Sequence, residues 1–254
     1  MSNAMASPGQ ACPFARAAAW FSPGYWRFCR ARNRARLKTP AGPLRDCLET
    51  PPPAPAQAVA RTRFLAVDIE TTGLDPRQDA ILSIGWVALE GTAIDLATAD
   101  YVLVRPDREV PEQSAVIHHI TDEHAARGVD VGEALDALFR ALDGRVLIAH
   151  HAALELGFLA RACERRYGTR PPLPVVDTLR LAETARRRAG RPVSAGGLRL
   201  HALRGDYNLP PRRSHDALLD ALGAAELFAA LMAERDPTGT LPLRRILFRP
   251  GRFW

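Results

Sequence analysis

Asp68 and Glu70 are one residue apart in Phe64-Leu65-Ala66-Val67-Asp68-Ile69-Glu70-Thr71-Thr72-Gly73, where an apolar run enters Asp-Ile-Glu and closes on Thr-Thr-Gly. On a strand, positions i and i+2 share a face, so the two carboxylates stand side by side. Acids placed this way repel each other and resist losing water unless a cation neutralises them. Hard oxygen ligands at this spacing suit Mg2+ or Mn2+. A strand end whose acids simply reach water has the same spacing, so the pair needs further residues to mean a metal site.

Two more acids sit where carboxylates are expensive. Glu155 lies in Ala152-Ala153-Leu154-Glu155-Leu156-Gly157-Phe158-Leu159, and on a helix its neighbours are Phe158, Leu159 and Ala162. Asp220 lies in His215-Asp216-Ala217-Leu218-Leu219-Asp220-Ala221, with Ala217, Gly223, Ala224 and Leu227 along its face. A carboxylate on a core-facing stripe needs a partner, because burying it alone costs several kcal/mol. Either acid singly fits the edge of a helix that is apolar nearly all round. Four in one domain, two on a strand and two on helices, are harder to dismiss as helix or strand edges.

The elements that must position these acids follow from periodicity and turn residues. Strands are expected at Phe64–Glu70, Ala80–Leu89 and Ala99–Arg105, joined by short turns into an antiparallel meander. Gly132–Leu142 has helical spacing, Arg145–Ala149 is a short apolar strand leading into His150-His151, and Ala152–Tyr167 is a helix stopped by Gly168. A short strand at Val175–Asp177 precedes a helix over Thr178–Ala189. A long helix spans Ser214–Ala233, with Ser214 as N-cap and Asp216 in its first turn. Strands first, then strand–helix alternation, make an α/β domain with a mixed sheet.

Of the 254 residues, 47% are apolar, as in an ordinary globular protein, and no apolar run is long enough for a membrane span. The chain reads as soluble and cytoplasmic. Met1-Ser2-Asn3-Ala4 reads as a cloning remnant preceding Met5. Cys12, Cys29, Cys47 and Cys163 lack C-x-x-C spacing, which argues against a zinc site or disulfide framework. The net charge of +6 is unevenly placed: residues 1–60 carry eight basic and two acidic side chains, residues 236–254 four and one, and residues 61–235 22 and 25. The division is thus a basic, Pro-rich extension over 1–60, a mildly acidic domain over 61–235, and a basic, aromatic tail over 236–254. The proline run Pro51-Pro52-Pro53-Ala54-Pro55 reads as an extended linker. Trp26 to Arg36 has the pattern of a basic helix within a mostly mobile leader, either a disordered tail or an arm that binds phosphate or a partner. The tail's apolar residues, from Leu243 to Phe248 and at Phe253-Trp254, suit docking on the domain or on another protein.

Three segments together carry a family resemblance. Asp68-Ile69-Glu70-Thr71-Thr72-Gly73, His151-Ala152-Ala153-Leu154-Glu155-Leu156-Gly157-Phe158-Leu159 and His215-x-x-x-x-Asp220-Ala221 resemble, in order, the three motifs of the DEDDh 3′–5′ exonucleases. Ile117-His118-His119-Ile120-Thr121-Asp122-Glu123 and Val176-Asp177-Thr178-Leu179 resemble the segments that connect them. The resemblance covers roughly residues 62–235. It implies a ribonuclease H-like fold with a mixed sheet, an antiparallel meander and flanking helices. It also implies two divalent ions, Mg2+ or Mn2+, held by Asp68, Glu70, Glu155 and Asp220. Two such ions stabilise the attacking and leaving oxygens of an in-line phosphoryl displacement, and His215 takes the proton of the attacking water. The imidazole suits that task because it titrates near neutral pH.

Two positions depart from the family pattern, which usually has Asp at 155 and Asn at 151. Glutamate keeps the charge and adds roughly 1.3 Å of reach, so the backbone is expected to be set back to suit Glu155. By similarity, Thr71, Thr72, Leu74 and His151 contact the 3′-terminal nucleotide, with Leu74 wedged beside a base. Nine arginines between Thr178 and Arg213 face only Glu183 and Asp206, a stretch that either tracks a phosphate backbone or forms a solvated face. The expected activity is release of nucleoside monophosphates from single-stranded 3′ ends, with DNA favoured over RNA, no membrane, and a protein partner possible through the extensions. The rivals are an exoribonuclease of the same fold and a catalytically weak nucleic-acid-binding module.

Overall fold

Arg63–Thr71 becomes the central strand because its odd and even positions feed two different cores. In the computed structural model, which describes residues 23–248 except 195 and 213, five strands form one sheet. They are β1 (Arg63–Thr71), β2 (Ile81–Glu90), β3 (Ala93–Leu103), β4 (Val146–Ala149) and β5 (Val175–Asp177), in the order β3-β2-β1-β4-β5. β1, β2 and β3 are antiparallel neighbours, and β4 and β5 continue the sheet parallel to β1. The expected mixed sheet with its meander is therefore present, although β3 begins at Ala93 rather than Ala99.

Nine α-helices lie among the described residues: α1 (Pro23–Lys38), α2 (Pro43–Glu49), α3 (Glu112–His118), α4 (Asp122–Ala125), α5 (Val131–Leu142), α6 (Ala153–Tyr167), α7 (Thr178–Arg188), α8 (Leu200–Asp206) and α9 (Ala217–Arg235). Leu65, Val67 and Ile69 share one core with Leu135, Leu138 and Phe139 of α5 and Leu156 and Phe158 of α6. Phe64 and Ala66 share the other with Phe228 and Leu231 of α9. The Phe64 and Phe228 rings meet at 5.0 Å between centroids. Burial of each such side chain stabilises by about 1.5–3 kcal/mol.

This alternation also fixes the acids. Asp68 and Glu70 continue the Phe64–Ala66 face and so project towards α9. The last pairing of β1 with β4 is Ala66 to Ile148, so Asp68 to Thr71 run beyond the end of β4. The sheet is open on that side at the point where the chain leaves β4 for α6.

Residues 23–50 depart from the expectation of a mostly mobile leader, whereas the C-terminal tail takes one of the two docking modes expected of it. Leu44, Cys47 and Leu48 of α2 are buried in the α5–α6 core, and α1 lies on α2 with Ala35 buried. At the other end, Leu243 and Ile246 are buried in the α9 core. Pro242 bridges to Ala58, Leu247 to Val176, and Phe248 N–H donates to the Val175 carbonyl at 2.8 Å. The tail from 236 to 248 thus docks on the domain itself, and the packing unites elements from both extensions with residues 61–235. The leader to residue 22, including Cys12, and the tail from Arg249 to Trp254 lie outside the described residues.

Candidate active site

Asp68, Glu70 and Asp220 each offer a carboxylate oxygen, and these oxygens lie within 4.8 Å of one another. β1 supplies the first two on one face. Asp220 comes from the first turn of α9, whose N-terminus lies over β2 next to Asp68. The cap of that helix is Asp216, whose carboxylate accepts from Leu219 N–H at 3.0 Å, and not Ser214 as the sequence suggested. Starting the helix at Ala217 frees His215 to take a left-handed backbone, φ 68°, with its N–H donating to Asp220 Oδ2 at 2.7 Å. His215 and its proposed neighbour are therefore linked by the backbone.

Glu155 enters from the first turn of α6 and is 4% exposed. It is not a member of the tight carboxylate group, yet its Oε2 and Glu70 Oε1 are both buried without a hydrogen-bond partner. Burial, then the charges of Asp177 and Glu70, pushes the Glu155 carboxyl well above the usual range. Asp68 is pushed up in the same direction, first by burial, then by Glu70, Glu155 and Asp220. Asp220 is raised as well, again chiefly by burial, with the His215 N–H bond opposing. Carboxylates crowded this closely, with unpartnered buried oxygens, are a donor set that fits a divalent cation.

A second histidine completes the site. His118, at the end of α3, places Nδ1 2.6 Å from Glu70 Oε2, and its ring centroid is 5.8 Å from that of His215. Ring nitrogens of both and a Glu70 oxygen form a further close group. α3 is pinned by Ser114 Oγ donating to the Thr71 carbonyl at 3.0 Å. His118 belongs to a segment whose resemblance was visible in sequence, but its contact with Glu70 is tertiary and has no local signature.

The other expected residues divide. The Thr71 hydroxyl donates to the Gly73 carbonyl at 2.6 Å, and the Thr72 hydroxyl contacts Asp79 Oδ1 at 3.2 Å and accepts from Ala80 N–H at 3.0 Å. Both are buried and shape the β1–β2 turn. Leu74 is 78% exposed and, with His151, lines a cleft of about 410 Å³ between that turn and α6. His151 has φ 72°, a conformation that His and Asn tolerate better than most, and its N–H donates to Asp177 Oδ1 at 3.1 Å. Asp177 also caps α7. His150 Nε2 donates to the Leu198 carbonyl at 2.9 Å, leaving Nδ1 of the neutral ring to accept from Thr178. Burial holds its pKa below the usual value.

Five of the nine arginines in this stretch are held in ion pairs, sharing three carboxylates. Arg186 pairs with Asp206, Arg180 and Arg187 pair with Glu183, and Arg204 and Arg212 both pair with Glu226. Arg204 is buried, donating to the Gly223 and Pro210 carbonyls. Of the phosphate track expected there, Arg188, Arg191 and Arg199 remain outside ion pairs among the described residues, and Arg213 lies outside them.

The RNase T family profile, described as exonuclease, matches residues 65–228. The DNA polymerase III subunit epsilon of Treponema pallidum is 33% identical over 172 residues, covering 67% of this chain and 76% of its own. The PolC-type DNA polymerase III of Thermotoga maritima is 31% identical over 165 residues, 65% of this chain but 11% of that polymerase. Among solved structures, exonuclease X in complex with 5′-overhanging duplex DNA aligns with a TM-score of 0.51 at 25% identity, covering 68% of this chain and 92% of its own. The nuclease domain of 3′hExo, a DEDDh family member bound to rAMP, aligns with a TM-score of 0.60 at 15% identity over 71% and 96%. The latter likeness concerns the ribonuclease H-like fold. The chain belongs to the RNase T family of exonucleases.

Proposed function

We propose that the chain is a 3′–5′ exonuclease that releases nucleoside monophosphates from single-stranded DNA ends with the help of two divalent ions, Mg2+ or Mn2+. The observation that carries this is the mutual approach of Asp68, Glu70 and Asp220 within 4.8 Å, beside the unpartnered oxygens of Glu70 and Glu155. These four acids would hold the metal, which when bound supplies Lewis-acid stabilisation of the scissile phosphate and lowers the pKa of its water.

The chain's own residues do the rest. His215, tied through its N–H to Asp220, accepts the proton of the attacking water. His118 holds Glu70 in orientation. Leu74 and His151 frame the cleft that receives the terminal nucleotide, and the Thr71 and Thr72 hydroxyls keep the turn bearing Leu74 in shape. DNA is favoured as substrate by the likeness to a polymerase III epsilon subunit.

The test is digestion of 5′-labelled and 3′-labelled single-stranded oligonucleotides with Mg2+, Mn2+ or EDTA. A ladder shortening from the 3′ end, with mononucleotide release that EDTA abolishes, is expected. Equal or faster digestion of RNA makes the enzyme an exoribonuclease. No release with either metal leaves a nucleic-acid-binding module and overturns the proposal.

A further inference from the structure

Helix α1 carries six cations, Arg27, Arg30, Arg32, Arg34, Arg36 and Lys38, and no acid. Two of them serve the fold. Arg32 is 6% exposed and donates to the carbonyls of Cys47, Thr50 and Pro172, fastening α1 to α2 and to the loop after α6. Arg36 pairs with Glu49 at 3.3 Å. The remaining four, Arg27, Arg30, Arg34 and Lys38, are exposed and make no ion pair among the described residues. Their spacing of three, four and four puts them on one stripe, about 16 Å long at 1.5 Å per residue. Trp26, 56% exposed, sits at its beginning.

Like charges three and four apart destabilise a helix, and nothing acidic at the first turn offsets the helix dipole. The helix is nevertheless fastened to the domain through a buried guanidinium. Its location gives the stripe a use. The cleft that begins at Leu74 and His151 follows α6 to Arg161 and Arg170. Two residues further on, the Pro172 carbonyl receives Arg32 of α1. Helix α1 therefore lies at the far end of α6 from the carboxylates, and the 15 residues of α6 place that end about 22 Å away.

We propose that the exposed stripe of α1 is a second nucleic-acid contact, which holds the phosphate backbone of a strand whose 3′ end occupies the carboxylate site. Arg forks pair with phosphate oxygens, and Trp26 offers a face on which a base stacks. A helix seated on a lipid surface needs a broad apolar outer face. Among the described residues, Trp26 and Leu37 are the large apolar side chains exposed on α1. The destination of the strand rests on the nuclease reading, whereas the phosphate contact does not.

The experiment compares the full chain with a quadruple variant, Arg27→Ser, Arg30→Ser, Arg34→Ser and Lys38→Ser. A control variant loses the same charge at scattered exposed sites, Arg61→Ser, Arg105→Ser, Arg127→Ser and Arg244→Ser. Binding of a labelled DNA single strand of roughly 20 nucleotides is measured in EDTA over a salt series, together with turnover of that strand and of a trinucleotide too short to span about 22 Å. The α1 variant is expected to bind the long strand at least 10-fold more weakly than the control variant. Its log–log salt slope should fall by about 0.7 for each lost phosphate contact, with trinucleotide turnover unchanged. Equal losses in the two variants, or no loss in either, overturn the proposal. So does binding to phosphatidylserine vesicles that the α1 variant alone loses while its oligonucleotide affinity is intact. If the unmodified chain digests nothing but the α1 variant still loses affinity, the surface stands and the nuclease reading falls.

Discussion

Gly85 of β2 lies so close to Ala217, the first residue of α9, that a Cβ at position 85 would stand 2.3 Å from the Ala217 carbonyl carbon. Gly85 is also the partner of Asp68 across the β1–β2 ladder. The missing side chain is what lets α9 settle on the sheet one turn before Asp220, and so brings Asp220 to Asp68. Gly85→Ala must push the helix outwards. The expected cost is about 1–3 kcal/mol, a fall in Tm of about 2–4 °C per kcal/mol. Activity should drop by far more than that loss of folded protein explains, because the carboxylate group opens. Gly157→Ala, whose Cβ would meet the Pro76 side chain at 3.0 Å, should be milder. Thermal melting and oligonucleotide turnover on both variants check this, and full activity in Gly85→Ala would contradict it.

Asp68 stores electrostatic strain that a bound divalent ion would relieve. An unfolded Asp titrates near 3.9, and the folded-state value of Asp68 is raised by burial and by Glu70, Glu155 and Asp220. Between those two values the folded state holds the extra proton, so stability contributed by this group declines as pH rises from about 4 and stays low above the folded pKa. In EDTA the protein should therefore melt lower at pH 7.5 than at pH 5.5, other groups being equal. Asp68→Asn should raise the EDTA melting temperature at pH 7.5 by several degrees while removing both activity and the stabilisation that Mn2+ confers on the parent. A lower Tm in the variant would show that Asp68 is not strained.

The carboxylates were legible in the sequence because each is encoded locally: Asp68 and Glu70 by strand alternation, Glu155 and Asp220 by their apolar helical neighbours. What remained hidden depends on partners far along the chain. Arg204 looks like part of a basic run, and only the carbonyls of Gly223 and Pro210 reveal it as a core group. α2 has seven residues bracketed by prolines, too few to show periodicity, and its Leu44, Cys47 and Leu48 acquire meaning only against α5. His118 escaped for the same reason, since its helix is short and its partner lies on β1.

The two histidines, 5.8 Å apart, should fail differently. His215→Ala removes the proposed proton acceptor and is expected to lower kcat by about 10²–10⁴ with little change in the metal concentration needed for half-maximal rate. His118→Ala releases Glu70 from its 2.6 Å contact and should raise that metal concentration by about 10–100-fold. Metal titrations of turnover distinguish them. Identical profiles for the two variants would remove the division of roles.

Glu155→Asp restores the residue usual in related motifs, yet it should harm this protein. The Glu155 carboxylate is buried with one unpartnered oxygen, and shortening it withdraws that oxygen by roughly 1.3 Å, more than the about 0.5 Å a rigid site tolerates. A loss of about 10-fold or more in kcat is expected with Mg2+, smaller with the more permissive Mn2+. Undiminished activity with Mg2+ would mean that the backbone of α6 is not set back to suit the longer side chain.

Glu226 joins Arg204, 2.5 Å away, to Arg212, which reaches both its oxygens at 3.0 and 2.6 Å. Partial burial works against its charge, but Arg212 and Arg204 outweigh it and hold the carboxyl below its usual range. The stability this confers is present above an unfolded Glu pKa of about 4.3 and is lost as pH falls through the lower folded value. Because Arg204 also grips the Pro210 carbonyl, the three side chains clamp the segment that leads into His215. Glu226→Ala strands a buried guanidinium and should cost about 3–5 kcal/mol, while Glu226→Gln, which still accepts hydrogen bonds, should cost less. If the clamp also fixes His215, Glu226→Gln should lower kcat with KM nearly unchanged, at temperatures where it is fully folded. A variant that melts lower but turns over at the parent rate would restrict the clamp to stability.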